Sequence, residues 1–156
     1  MLKIKVVVVD RTRSPFIKEG EAFYLRRLRR YSTPQWLEVK PERIRKSVPV
    51  ENILDKEGES ITKLLLPRDY VIALDKSGNA YDSEELAARI EKLSITHNRL
   101  SFIIGGPLGL SAKILNKAQE VFSLSKLTLT HEMSRLLLLE QLYRAFTILN
   151  NEKYHK

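Results

Sequence analysis

The run Phe102-Ile103-Ile104-Gly105-Gly106-Pro107-Leu108-Gly109-Leu110 constrains this chain more than any other. A short apolar, β-rich stretch stops in a glycine loop, and a helical pattern opens at Ser111. Strand, glycine turn and helix in that order is how an open α/β sheet holds a small molecule beyond the carboxyl ends of its strands. The glycines imply close backbone approach, a positive φ, or both. A tight strand exit without a ligand satisfies the same residues. The spacing matches neither G-x-x-x-x-G-K-[ST] nor G-x-G-x-x-G, which disfavours a nucleoside triphosphate or a conventional dinucleotide.

Strand and helix patterns alternate along the rest of the chain. Strands are predicted at Ile4–Val9, Gln35–Lys40, Tyr70–Asp75, Leu100–Ile104 and Lys126–Leu129. Most are Val/Ile/Leu-rich without polar alternation, as in a parallel sheet covered on both faces. Helices are predicted at Pro15–Tyr31, Glu51–Leu66, Ser83–Thr96, Ser111–Phe122 and Glu132–Asn150. Ser14 before Pro15, the run Asp82-Ser83-Glu84-Glu85, and Ser111 supply start signals. Gly58 weakens the middle of the second helix, and Asp75-Lys76-Ser77-Gly78-Asn79 reads as a turn. The expectation is one α/β domain over residues 1–156, a mostly parallel sheet with helices on both faces.

Composition narrows the function classes. Cysteine is absent, which excludes disulfides, thiolate metal sites and cysteine nucleophiles, and fits a reducing compartment. The apolar N-terminal run is too short to span a bilayer, so a cytoplasmic protein that does not engage membranes is expected. The net charge of +8 is segregated: residues 1–46 hold 13 of the 27 Lys and Arg but only 5 of the 19 Asp and Glu. The remaining chain is balanced. Such segregation suggests a polyanion docking face, centred on Arg26, Arg27, Arg29 and Arg30. A solvated helix face is the bland alternative.

Three further stretches stand out. Ser123–His131 reads as a short apolar strand with small hydroxyls running into a helix; its backbone can read an adenine edge, or it is a plain core strand. The last helix carries a broad apolar face (Met133, Leu136, Leu137, Leu138, Leu139, Leu142, Tyr143, Phe146, Leu149), wide enough for a homodimer seam or for a buried helix. Beside that face lie Arg135, Glu140, Gln141 and Arg144. The two arginines suit a phosphate or a planar base edge in forked geometry, or surface ion pairs. Tyr154-His155-Lys156 gathers aromatic, imidazole and ammonium groups where termini usually fray. Trp36 reads as core rather than a base-stacking platform, and His97 has no assigned role.

FIIGGPLGLS, then SLSKLTLTHEMSRLLLLEQLYRAF, then the terminal YHK closely resemble the RlmH family, SPOUT-class methyltransferases of bacterial large-subunit ribosomal RNA. The likeness runs the full length and includes the Val-rich first strand, Ile53–Gly58 and Val71–Asp75. It implies an α/β fold with a C-terminal trefoil knot, an exception to the rule that chains avoid threading. It also implies a homodimer that binds S-adenosylmethionine and methylates N3 of a pseudouridine in 23S rRNA, free or within the assembled ribosome, without a metal. The cofactor positions match Leu74, Gly105, Leu124, Ser125, Lys126, Leu127, Thr128 and Leu129. The catalytic and substrate positions match Arg144, Tyr154, His155 and Lys156, the tail reaching the partner subunit's site.

The chain departs from that pattern in three places. Leu108 stands where the loop commonly carries an acid. Thr130 replaces a frequent proline, and Asp10-Arg11 follows the first strand where glycine is usual. Two other functions fit the sheet and the basic face: a related methyltransferase acting on tRNA, and a non-catalytic RNA-binding protein.

Overall fold

A computed structural model describes residues 1–156. In chain order the elements are β1 (Lys3–Val9), α1 (Pro15–Leu28), β2 (Thr33–Val39), α2 (Val50–Thr62), β3 (Tyr70–Ala80), α3 (Ser83–Thr96), β4 (Arg99–Ile104), α4 (Ala112–Lys117), β5 (Glu120–Ser123) and α5 (His131–Leu149). The five strands form one sheet in the order β2-β1-β4-β3-β5, and every pairing is parallel.

Alternation along β1 explains its unbroken apolar run. Ile4, Val6 and Val8 face the cluster that buries Leu86, Ile90, Leu138, Leu139 and Leu142 of α3 and α5. Val7 and Val9 face the opposite cluster with Ile61 of α2 and Ile114 of α4. Successive side chains on a strand point to opposite faces, so a strand covered on both sides is apolar at nearly every position. Helices therefore lie on both faces of a parallel sheet, as the sequence pattern predicts. Trp36 packs half-buried against the first cluster, in line with the core reading.

Three predicted elements are corrected. Lys126–Leu129 is not a strand; the fifth strand is Glu120–Ser123. The helix expected to run to Phe122 ends at Lys117, where Ala118 turns extended and the Gln119 amide joins the Val71 carbonyl at 2.9 Å. Residues 124–130 are irregular because their hydroxyls bond locally. Ser125 Oγ accepts the Leu127 amide at 2.9 Å, and Ser123 Oγ donates to the Ser125 carbonyl at 3.0 Å. Such short-range bonds compete with a strand ladder. The turn expected at 75–79 lies inside β3 as an irregularity: Leu74 and Asn79 both pair with Phe122, and the residues between bulge out around Asp75, which accepts from Ser77. The first two helices also end earlier than their apolar pattern, at Leu28 and Thr62. Gly58 stays within α2, because a Cβ there would lie 3.0 Å from Ser111 Oγ and 3.2 Å from Ile114.

The amino-terminal edge of the sheet is fixed by a buried ionic knot. Asp69 Oδ2 accepts from Lys5 Nζ at 2.7 Å, from Ser101 Oγ at 3.0 Å and from the Leu66 amide at 3.0 Å, while Oδ1 accepts from Arg99 at 3.0 Å. Burial alone would raise this carboxyl; those donors prevail and hold it below the usual carboxylate range. Asp69→Ala would leave Lys5, itself 3% exposed, without its counter-ion. The expected cost is about 3–5 kcal/mol in urea unfolding. Because the folded-state pKa is depressed, this stabilisation is present above the unfolded carboxyl's pKa and is lost as pH falls through the folded value. Wild type should therefore lose more stability on acidification than Asp69→Ala does.

Candidate active site

Two separate clusters of the residues singled out by sequence emerge. The first is a cleft of about 600 Å³ at the carboxyl edge of the sheet. Its walls are the middle of β3 (Leu74–Lys76), the β4–α4 loop (Ile104–Gly109), the exit of β5 with the irregular segment, and the first turn of α5 through His131 and Ser134. Seven of the eight predicted cofactor residues line it: Leu74, Gly105, Leu124, Ser125, Leu127, Thr128 and Leu129. Lys126 is exposed outside that lining. The size suits a ligand of nucleoside dimensions, and most of the lining residues come from loops. A larger depression of about 1360 Å³ lies at the opposite edge, among Met1–Lys3 and Thr96–Arg99. It is away from the glycine loop and from the strand ends where α/β sheets bind ligands.

The glycines have local reasons. Gly109 has φ +86, in the left-handed region, and its amide bonds the Gly106 carbonyl at 3.0 Å. A Cβ on Gly105 would run into the backbone of Gly109. The loop thus closes on itself, which needs both properties inferred from sequence. Leu108 sits 36% exposed at the cleft rim and Leu127 is 75% exposed. Thr130, in place of the frequent proline, caps α5 by accepting the Met133 amide at 3.2 Å. His131 is held below the ordinary imidazole value by burial and then by the charge of Arg135.

The second cluster lies further along α5. Glu140 Oε1 accepts from Arg144 Nη2 at 2.6 Å, from Arg144 Nε at 3.0 Å and from the Tyr154 hydroxyl at 3.0 Å. The Arg144 guanidinium lies 4.7 Å from the Tyr154 ring centre. His155 Nδ1 is 3.3 Å from Arg144 Nη1, and its Nε2 is 3.6 Å from Glu84. Burial, and then hydrogen bonds to neighbours that include Glu140, raise the Tyr154 phenol above its ordinary value. Gln141 joins the group by donating to Glu140 Oε2 at 2.8 Å and accepting from Ser83 at 2.7 Å. Three of the four predicted catalytic residues are therefore together; Lys156 is exposed and makes no hydrogen bond or ion pair. Glu140 is the hub, a position that the sequence places beside the apolar face but to which it assigns no role. Its spacing of four residues from Arg144 on one helix face is the available signal.

Two arginine assignments change. Arg135 is neither a phosphate grip nor a surface ion pair: it is fully buried, donating to the Val9 carbonyl at 2.5 Å and to Thr12 Oγ1 at 2.9 Å. The basic face is exposed as expected at Arg26, Arg27, Arg29 and Arg30, although Arg27 stacks 3.9 Å over Phe23 and Arg30 pairs with Glu152 at 3.3 Å. No group of three or more His, Asp or Glu is positioned for a metal ion, and no helix is long and apolar enough to cross a membrane. Gly105→Ala should distort the closed loop against Gly109 backbone, which cannot move aside as a side chain would. Titration calorimetry with a nucleoside-sized ligand of this cleft should show binding weakened by at least tenfold, a loss of about 1.4 kcal/mol.

Comparison with known proteins identifies the family. A family model described as "Predicted SPOUT methyltransferase" matches residues 2–155. The ribosomal RNA large subunit methyltransferase H of Halothermothrix orenii is 41% identical over 99% of this chain and 100% of its own length. The proteins of that name from Thermotoga maritima (40%, covering 99% of each chain) and Moorella thermoacetica (42%, covering 100% of each) are similar to it as well. A probable methyltransferase from Bordetella pertussis shares the fold at TM-score 0.58 and 14% identity, over 92% of this chain and 96% of its own. So does a probable methylase family protein from Haemophilus influenzae, at TM-score 0.56 and 21% identity, over 98% of this chain and 70% of its own. With a family model spanning nearly every residue and full-length relatives at about two-fifths identity, the chain belongs to the RlmH family of SPOUT methyltransferases.

Proposed function

We propose that this chain, as a cytoplasmic homodimer with one domain over residues 1–156, methylates N3 of a pseudouridine in 23S rRNA, using S-adenosylmethionine. Methylation of large-subunit ribosomal RNA is what the family's full-length relatives are named for. The observation that carries the cofactor reading is the cleft at the carboxyl edge, lined by seven of the eight residues matched to the family's cofactor positions. The family's trefoil knot belongs to the same reading. It is supported by the course of the chain from β5, at the sheet edge, back to the end of β1, where Arg135 meets the Val9 carbonyl.

A distance supports the dimer reading. His131 and Ser134 of α5 line the cleft, whereas Arg144 holds the tail cluster. Ten residues of helix separate Ser134 from Arg144, roughly 15 Å along the axis. No residue of the tail lines its own chain's cleft. A second copy that brings its tail to this cleft closes the gap, and the half-buried Met133, Leu136, Leu137 and Tyr143 on α5 offer the apolar surface for it.

When bound, S-adenosylmethionine supplies an electrophilic sulfonium methyl. The chain's own work is orientation and proton management. The cleft backbone fixes the donor, and Tyr154 stacks on the target base. His155 accepts the N3 proton as the nitrogen attacks, since imidazole is the side chain suited to proton transfer near neutral pH. Arg144, held ionised by Glu140, and Lys156 stabilise the imide anion that develops.

In vitro methylation of total RNA followed by nucleoside mass spectrometry tests the function: 3-methylpseudouridine in 23S rRNA is expected, and a modified tRNA with unmodified rRNA overturns it. His155→Ala should slow single-turnover methylation at saturating RNA; an unchanged rate removes it as the base. Mixing His155→Ala with Gly105→Ala subunits should restore roughly a quarter of wild-type activity, the fraction of intact composite sites on random pairing. Glu140→Gln should lower kcat by about tenfold to a hundredfold through misplacement of Arg144 and Tyr154, with the cofactor Kd unchanged by calorimetry.

A further inference from the structure

The loop between β1 and α1, residues 10–14, is held more firmly than a surface connection requires. Asp10 has φ 72, in the left-handed region where glycine is at ease. Its carboxylate steadies that conformation: Oδ1 accepts the Arg11 amide at 2.8 Å and Oδ2 accepts from Arg13 Nη2 at 3.0 Å. Thr12 turns inward and is 3% exposed. It donates to Glu21 at 2.7 Å and accepts from buried Arg135 at 2.9 Å. Glu132 then accepts the Arg13 and Ser14 amides at 3.2 and 3.0 Å. These amide bonds hold the Glu132 carboxyl below its usual value against the effect of burial.

With Thr12 inward, Arg11 and Arg13 point out, and both are exposed. Arg11 forms no ion pair, and the Arg13 side chain remains 62% exposed despite its pairing with Asp10. The loop stands beside the cofactor cleft. Glu132 follows His131, which lines that cleft, and a Cβ on Gly106 of the cleft wall would lie 3.3 Å from Val9. Lys76 adds a further exposed cation on the cleft lining. Asp10, Glu21 and Glu132 are already engaged by this loop, and Asp75 on the cleft lining accepts from Ser77. A left-handed aspartate, and behind it the buried Arg135 of α5 whose Nε has no partner, are costly features around a loop that merely connects.

The geometry points to Arg11 and Arg13 as phosphate contacts that seat the RNA strand flanking the target nucleotide at the mouth of the cleft. Forked guanidinium groups on a fixed backbone suit phosphate oxygens. Because such contacts read no base, they position the strand and leave the choice of base to the cleft. This is a second cationic surface, distinct from Arg26–Arg30 at the far end of α1, and it rests on large-subunit rRNA being the substrate.

The experiment compares the full-length Arg11→Gln/Arg13→Gln protein with wild type, using 23S rRNA as the probe in filter binding across a salt series and in steady-state methylation. A Lys63→Gln/Lys92→Gln protein, which removes the same charge from the residue after α2 and from α3, is the control. The loop variant should raise the KM for RNA at least tenfold and lower the slope of log affinity against log salt by about 2. Its kcat at saturating RNA, cofactor Kd and sedimentation should match wild type. Three results overturn the proposal: an unchanged KM and salt slope, an equal effect in the control, or loss of self-association, which would make the loop an interface between copies. A wild-type protein that neither binds nor methylates 23S rRNA sinks both this proposal and the rRNA reading. Wild-type methylation with an unaffected variant sinks only this one.

Discussion

Covering a parallel sheet on both faces is the constraint from which the rest follows. β1, β4 and β3 can be buried only if helices return over both sides after each strand, so every connection into a helix gathers at one edge. That edge holds the Asp10 loop, the glycine loop, the exit of β5 and the start of α5. The opposite edge holds helix ends and the Asp69 knot. Stability and binding are thereby sorted to the two ends of the same strands. At one end a carboxylate collects two cations in the dry interior; at the other, backbone is left free to meet a ligand.

α5 connects these requirements as a rigid rod. Its first turn forms cleft wall, its middle supplies Leu138, Leu139 and Leu142 to the core, and its polar edge carries Glu140 and Arg144. Arg135 belongs to none of these surfaces. It passes inward to the end of β1 and joins α5 to α1 through Thr12 and Glu21. Burial raises the Glu21 carboxyl and opposes the charge on Arg135, and each is partly offset by the other across the bridging Thr12 hydroxyl. Cleft wall and strand end are therefore held as one unit.

Much of this was legible in the residues. Continuous apolar runs announced the covered strands, and the capping box at Asp82 and Glu85 marked α3 to the residue. Glycine at 105, 106 and 109 located the cleft. The stretch from Ala112 to Leu129 was misread because apolar residues at Ile114, Leu115, Val121, Phe122 and Leu124 fit a helix or a short strand equally well. Only pairing with β3 makes Glu120–Ser123 the strand. Arg135 was misread for a related reason: helical spacing puts it beside the apolar stripe, and nothing local reveals an acceptor at Val9, 126 residues earlier. Asp10 is the instructive departure. The resemblance leads one to expect glycine at this position, and the backbone there is left-handed, so the conformation glycine would serve is present with aspartate in its place.

The register of β1 also bears on how the chain is made. Val6 lies between Trp36 and Phe102, so one flank of the first strand finds its partner soon after synthesis and the other only when β4 emerges. Until then Val6-Val7-Val8-Val9 is an uncharged, β-prone segment with an open edge, the kind that pairs with the wrong neighbour. Parallel sheets built from distant partners close slowly. The flanking Lys3 and Lys5 supply the early repulsion that keeps nascent copies apart, before Lys5 is drawn inward to its carboxylate.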